Sequence, residues 1–306
     1  AYDAADRVKS MTYPGGGEVV TTVYNPQRLP QTLSGSSSYV TGASYNALSQ
    51  PKQFTFGNGA STTWTYYGEP GPPSPNSPSY RLWQMRTVKG STEHQKLQYA
   101  YDGVGNVLTI ADAKVAGGPQ TQTFTYDHLD RLLTANAAGG SAGQGQYSER
   151  YSYNLIGNMT SKGGVSYAYN DPDHKHAVTH LGGVQKYWYD ANGNMITRIV
   201  GSTTYSQGWD YDNRLATVTA NGQTTTFTYD GNGTLVKKVA GGQTTAYAGP
   251  HYEKNVSTGQ SEPVSFLWRA AHCHAPGQQY GVLAAGRSPG QHVADPEQQR
   301  EQGGRA

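Results

Sequence analysis

One octapeptide and its copies constrain this chain more than any other feature. Tyr189-Asp190-Ala191-Asn192-Gly193-Asn194-Met195-Ile196 reads as a strand end, a tight turn and a new strand. Trp188 and Tyr189 are aromatic strand formers. Asp190 is suited to bond the backbone two residues on and start a turn. Gly193 and Asn194 are residue types that tolerate the positive φ of such turns. Met195 and Ile196 resume an apolar strand. One such segment decides little, but recurrence along a chain decides its architecture.

The segment recurs throughout. Strong copies carry the pairs Tyr101-Asp102, Tyr126-Asp127, Tyr153-Asn154, Tyr189-Asp190, Tyr211-Asp212 and Tyr229-Asp230, and Tyr169-Asn170 is a divergent one. Weaker copies at Tyr2-Asp3, Tyr24-Asn25, Tyr45-Asn46 and Tyr66-Tyr67 fill the first hundred residues, at intervals of about 20. Between copies lies a second turn signal: Gly117-Gly118, Gly139-Gly140, Gly163-Gly164, Gly182-Gly183, Asn221-Gly222 and Gly241-Gly242. Each unit therefore reads as two strands and two turns, one β-hairpin. Gln223 to Tyr229 shows the strand alternation, with Phe227 and Tyr229 on one face and Thr226 and Thr228 on the other. No stretch has a helical period with caps.

The repeated Tyr-Asp, followed by Gly-Asn or Arg-Leu, resembles the Rhs/YD-repeat family over roughly residues 1 to 260. The residues themselves give tandem antiparallel hairpins, an all-β chain. The resemblance adds that the hairpins line up in one long antiparallel sheet that curves or spirals into part of a shell wall. In several family members that shell encloses a toxic polypeptide, and others sit on cell surfaces. It implies a non-catalytic structural wall segment of a secreted or polymorphic-toxin protein, whose partners are the remainder of its own longer chain and an enclosed toxin domain. The alternative it implies is a cell-surface or cell-wall-associated array that binds carbohydrate.

Composition narrows the classes. With 306 residues, length alone allows two or three domains, but repetition argues for one quasi-linear array. Charged residues are 14% and the net charge is +2, which gives no electrostatic case for nucleic acid or an anionic membrane. One cysteine excludes an internal disulfide framework. No run is apolar enough to span a membrane as a helix. The chain opens inside a repeat, so a fragment of a longer protein is expected, with exposed strand edges at Tyr2 and after Val264 that promote self-association.

Two segments interrupt the pattern. Glu69 to Pro78 is rich in proline, cannot supply ladder donors there, and reads as an exposed loop inserted in one hairpin. Gly139 to Gln146 is a softer loop. The array is expected to run over residues 1–265. From residue 266 the Tyr-Asp signal vanishes, and 266–306 are expected to be poorly ordered. Tyr247 to Gln260 resembles the family's segment just before its conserved core. Read one base later, Trp268–Pro276 is compatible with the family's GGQRIAMR and Arg287–Gln298 with GHLGSTSLTLN. A one-base slip near Ser265 would make this tail an out-of-frame translation; a natural C-terminal extension is the other reading.

Candidate chemistry is sparse. Asp171, Asp173, His174, His176 and His180 form the richest ionisable cluster, to be read either as a divalent-metal site or as a divergent turn. The family's His-Ala-Val segment, here His176-Ala177-Val178, favours the turn. His272-Cys273-His274 is too short to close a four-ligand zinc shell. The YD aspartates recur at every turn, so turn capping explains them together and acid–base pairing does not. There is no nucleophile elbow and no phosphate-binding loop. No catalytic residue, metal site or cofactor is assigned. The tyrosines are expected to pack ring against ring along the sheet, with sugar stacking as the alternative.

Overall fold

The computed structural model describes residues 1–14, 17–70, 80–113, 118–140, 145–249 and 252–263, the last three by backbone alone. Most of the Pro-rich insertion and the whole of 266–306, with the frame-slip expectation, lie outside the described residues.

Every strand pairs antiparallel with its neighbours in sequence, so each sheet is a simple meander. A 16-stranded sheet comprises β1 (Ser10–Thr12), β2 (Val19–Tyr24), β3 (Pro30–Ser34), β4 (Ser38–Tyr45), β5 (Pro51–Phe56), β6 (Ala60–Tyr66), β7 (Leu82–Lys89), β8 (Thr92–Tyr101), β9 (Val107–Asp112), β10 (Gln120–Tyr126), β11 (Leu132–Gly139), β12 (Tyr147–Tyr153), β13 (Met159–Lys162), β14 (Val165–Ala168), β15 (His180–Leu181) and β16 (Val184–Gln185). A nine-stranded sheet follows with β17 (Tyr187–Tyr189), β18 (Met195–Val200), β19 (Thr203–Trp209), β20 (Leu215–Ala220), β21 (Gln223–Tyr229), β22 (Leu235–Ala240), β23 (Gln243–Tyr247), β24 (Tyr252–Asn255) and β25 (Ser261–Pro263). Among the described residues there is no α-helix. The tandem-hairpin reading is met along the whole described array.

The two turn signals sort to opposite rims, because a meander returns to the same rim every second connection. The YD turns occupy one rim. The glycine pairs occupy the other, where Gly163-Gly164, Gly182-Gly183, Asn221-Gly222 and Gly241-Gly242 have positive φ at both residues. That is the two-residue hairpin whose twist matches a twisted sheet, and it selects Gly and Asn on steric grounds.

The two faces also differ. In β10, Gln122, Phe124 and Tyr126 are half-buried while Thr121, Thr123 and Thr125 are exposed. Tyr147, Glu149, Tyr151 and Tyr153 of β12 alternate in the same way with exposed Ser148, Arg150 and Ser152. One face is thus aromatic and partly shielded, the other hydroxyl-rich and wet. Cross-strand hydroxyl pairs knit the wet face, as between Thr125 and Thr134 at 2.6 Å and Thr219 and Thr224 at 2.8 Å.

Curvature follows from one contact. Tyr13, Val20, Leu33, Val40, Ala43 and Phe54, near the start of the array, form the main buried cluster, and Tyr252 of β24 packs against it. A flat sheet would separate β24 from β2 by roughly 100 Å at the usual strand spacing. The array must therefore curl back on itself. Among the described residues no large side chain is completely buried.

The two sheets meet at the divergent repeat. The Thr179 carbonyl accepts from the backbone N–H groups of Lys186 and Tyr187 at 2.9 and 3.2 Å, and Lys186 O accepts from Ile199 N–H at 2.9 Å. These bonds carry the backbone network across the break between β16 and β17.

Candidate functional site

The YD-turn rim concentrates the specific side-chain geometry of this chain. Nine turns, capped by Asp3, Asn25, Asn46, Asp102, Asp127, Asn154, Asp190, Asp210 and Asp230, share one construction. The cap N–H donates to the carbonyl of the fourth residue after it, as from Asp190 to Asn194 at 2.9 Å. The third residue has positive φ: 83° at Gly193, 57° at Asn213, 58° at Asp130. The cap Oδ1 accepts the backbone N–H four residues on and, at every cap but Asn25, also the one two residues on, at 2.9 Å each for Asp190. This is a type I turn closed by a left-handed residue, and the register shifts that flank it, as between Trp188 and Tyr189, are its bulges. The positive φ falls on Gly193 alone. Asn194 instead donates from Nδ2 to Asp190 Oδ2 at 3.1 Å.

The aromatic residue before each cap does something the sequence left unstated. Its hydroxyl donates to a backbone carbonyl just past the preceding turn. Tyr24, Tyr45, Tyr66, Tyr101, Tyr126, Tyr153, Tyr169, Tyr189 and Tyr229 all do so, at 2.7–3.0 Å. Trp209 substitutes its indole N–H, donating to Met195 O at 2.9 Å. The expected ring-on-ring ladder is therefore replaced by a ladder of hydroxyl-to-carbonyl bonds. Among the described residues ring contacts are few, such as Tyr67 on Tyr101 at 6.2 Å. A phenylalanine would fill the space but leave the carbonyl without this donor.

The fourth residue after the cap completes the link. Arg131 Nε donates to Asp127 Oδ2 at 2.7 Å, while its guanidinium lies 4.6 Å from the Tyr153 ring of the next repeat. Arg7 over Tyr24 and Arg214 over Tyr229 repeat this at 4.3 and 5.3 Å. Where the residue is Asn, an amide bridges instead: Asn106 Nδ2 donates to Asp130 Oδ1, and Asn194 Nδ2 to Asn213 Oδ1, both at 2.8 Å. The guanidinium beside Asp3 holds its carboxyl down to about 2. Hydrogen bonds from Arg131 lower Asp127, and those from Arg214 lower Asp210. Partial desolvation opposes ionisation of Asp102 and Asp190, yet the surrounding donors outweigh it and both sit below the usual carboxylate range. Burial pushes Tyr45 up to about 12 and raises Tyr126 and Tyr189. All these shifts fix charge or protonation for structure.

Two expected motif positions are placed differently. The turn near residue 210 starts at Trp209-Asp210, so Tyr211 and Asp212 lie inside the loop, with Tyr211 fully exposed. The Arg-Leu pair at 214–215 sets this register, because the cap must precede Arg214 by four residues. Asn170 caps no turn; its N–H donates to Thr179 Oγ1 at 3.0 Å. Tyr169 keeps its carbonyl bond, and Asp171 caps the following turn, accepting from Asp173 N–H at 2.9 Å and His174 N–H at 3.1 Å. Tyr101, Asp102, Tyr126, Asp127, Tyr153, Asn154, Tyr189, Asp190, Tyr229 and Asp230 occupy clamp and cap positions.

The histidine cluster disperses among separate partners. His174 Nδ1 lies 3.1 Å from Asp171 Oδ2, His176 Nδ1 2.6 Å from Asn158 Oδ1, and His180 Nδ1 2.9 Å from Thr179 Oγ1. Asp171 raises the His174 pKa. Among the described residues no three His, Cys, Asp or Glu side chains converge as a metal shell would require.

Comparison with known proteins follows the same repeat. The RHS Repeat family model matches residues 209–245, from the Trp209 clamp through the turn capped by Asp230. The toxin subunit YenC1 of Yersinia entomophaga is 31% identical over 151 residues, which are 44% of this chain and 13% of that protein. The tRNA nuclease WapA of Bacillus subtilis is 29% identical over 120 residues, 38% of this chain and 5% of that protein. Among solved structures, TcdB2-TccC3-Cdc42 superposes with a TM-score of 0.66 at 20% identity, covering 86% of this chain and 15% of the matched chain. TcdB2-TccC3 without its hypervariable C-terminal region gives 0.64 at 21% identity, covering 84% and 14%. These structures share the fold, and this chain spans a small part of each relative's length.

Proposed function

This chain is an Rhs/YD-repeat array, and from that premise we propose that it serves as a non-catalytic wall segment enclosing a polypeptide cargo of a secreted toxin-type protein. The observation that carries the reading is the recurrent clamp ladder on one rim. Tyr or Trp ties a repeat to the one before it, and at most of the turns Arg or Asn ties it to the one after. Such a ladder suits a large single-layer sheet that must hold a curve without a packed core. The partly shielded aromatic face, with tyrosines whose hydroxyls are already committed, would line the inside, and the threonine face would meet water. The carboxylates of Asp3, Asp102, Asp127, Asp190 and Asp210 are committed to turn donors that favour their ionised form, which supports a structural role for them.

Carbohydrate stacking has less support, because few described tyrosines stand free. Tyr211 has a fully exposed ring, at a turn tip and not on a sheet face.

The test is a pair of introduced cysteines, each placed singly in the full-length gene product after Cys273 and any other native cysteine are changed to Ser. Gln122→Cys sits on the aromatic face and Thr123→Cys on the threonine face. A bulky thiol reagent is expected to label position 123 readily and position 122 slowly until the protein is unfolded. Equal labelling of both in the folded protein would remove the enclosing role.

A further inference from the structure

An asparagine followed by glycine can react with its own backbone, because glycine has no Cβ to hinder its nitrogen. Such pairs stand at Asn58-Gly59, Asn192-Gly193, Asn221-Gly222 and Asn232-Gly233. All four asparagines are exposed and lie in turns, so exposure does not separate them.

The glycine N–H groups do. Gly59 N–H donates to Phe56 O, Gly193 N–H to Asp190 O and Gly233 N–H to Asp230 O, each at 3.0 Å. These bonds close their turns. Two of the asparagine side chains are engaged as well: Asn58 Oδ1 accepts from Ala60 N–H at 3.0 Å, and Asn192 Nδ2 donates to Asn213 Oδ1 at 3.3 Å.

Asn221-Gly222 is built differently. Ala220 pairs directly with Gln223, which leaves a two-residue turn with φ of 50° at Asn221 and 74° at Gly222. In such a turn the ladder bonds join the flanking residues, and the second turn residue keeps its N–H outside the ladder. Among the described residues neither Gly222 N–H nor the Asn221 side chain has a hydrogen-bond partner. The space over Gly222 is open. A glycine N–H that donates to a carbonyl must break that bond before its nitrogen can turn on the neighbouring side chain. Gly222 has no such bond to break.

We propose that Asn221 is this chain's site of spontaneous deamidation. Gly222 N loses its proton to hydroxide and bonds to Asn221 Cγ; the Cγ–Nδ2 bond breaks and ammonia leaves. Water then opens the succinimide at either carbonyl and yields aspartate or isoaspartate. The net change consumes one water, releases one ammonia and moves no electrons to an acceptor. Either product adds a carboxylate to the glycine rim. Aspartate still fits, since it tolerates the left-handed backbone. Isoaspartate puts an extra methylene into the backbone of a turn whose length sets the strand register. The β20–β21 hairpin then loosens at Ala220–Gln223 and at the Thr219–Thr224 hydroxyl pair beside it. Gly163-Gly164, Gly182-Gly183 and Gly241-Gly242 share the positive φ at both positions and have no side-chain amide to lose. The inference concerns one turn of the glycine rim and does not need the enclosing role.

The whole folded chain, held in mildly alkaline buffer and sampled over time, tests it. Peptide mapping by mass spectrometry follows each Asn-Gly pair, and an isoaspartate-specific carboxyl methyltransferase labels the rearranged product. Asn221 is expected to convert at least about fivefold faster than Asn58, Asn192 and Asn232, the factor that one net hydrogen bond corresponds to. In denaturant the four pairs are expected to convert at comparable rates. Asn221→Gly, which copies the Gly-Gly turns of the same rim, should remove most of the methyl label from the folded chain. The proposal is overturned if Asn221 converts no faster than the other three in the folded chain, or if Asn221→Gly keeps the wild-type label. It is overturned equally if the same ordering and spread persist in denaturant, because neighbouring sequence and not the turn would then select the site.

Discussion

Replacing Tyr126 by Phe removes one oxygen and leaves the ring. The lost group donates to Val107 O at 2.9 Å and is partly shielded from water. A hydrogen bond of this kind contributes about 1 kcal/mol net, roughly 0.5–1.5. In a repeat array each unit contacts mainly its neighbours, so the loss should stay local and global unfolding would dilute it. Backbone hydrogen exchange reads local opening directly. Amides of β9, β10 and β11 are expected to exchange about fivefold faster, the factor that corresponds to about 1 kcal/mol, while β20 to β22 remain unchanged. Tyr211→Phe is the matched control: it also deletes a YD hydroxyl by sequence, yet that side chain is fully exposed in its loop, so no amide should respond. If Tyr126→Phe leaves exchange unchanged, or if Tyr211→Phe acts as strongly, the clamp and its register are wrong.

Three further outcomes are expected. Gly193→Ala should cost about 1 kcal/mol or more in thermal or denaturant stability, because φ is 83° and the new methyl would lie 3.1 Å from His174 Cδ2; Gly231→Ala, with open space around it, should be neutral or slightly stabilising. The His174 imidazole, raised by Asp171, contributes stability that is fully present below its unfolded pKa of about 6.5 and is lost as pH rises through its higher folded value. An NMR titration should therefore place His174 above the ordinary range and return it toward that range in Asp171→Asn; a His174 pKa unmoved by that substitution refutes the pair. Conversely, Asp3, Asp127 and Asp210 have lowered folded pKa values, so their contribution is present above about 3.9 and fades as pH falls through those values, for Asp3 near about 2. Circular dichroism through an acid titration should show Asp127→Asn less acid-sensitive than wild type.

Much of the fold was legible because a hairpin array is specified by local signals. Period-2 strands, Asp or Asn caps and glycine pairs each fix their own turn, and a meander needs no long-range pairing choice. The side-chain links were less legible. The Arg and Asn followers were visible as a recurrent signature, but their role needs the distance between neighbouring turns, which a sequence does not give. The Tyr126 hydroxyl bonds a residue 19 positions away, and nothing at Val107 announces an acceptor. The misread register at Tyr211-Asp212 has a plain cause: two overlapping aromatic-Asp pairs stand side by side, and only Arg214, four residues after Asp210, chooses between them. Curvature was hidden for a similar reason, since Tyr252 looks like any other strand tyrosine until it meets the cluster around Val20.

Limited proteolysis of the full-length gene product tests the enclosing role most directly. If the array walls off a cargo, a segment outside it should survive protease as long as the wall is intact. Combined Tyr101→Phe, Tyr126→Phe and Tyr153→Phe substitutions, which loosen three consecutive clamps, should expose that segment. If no segment outlasts the array, or if its survival is indifferent to the clamps, this chain is not the wall of a container.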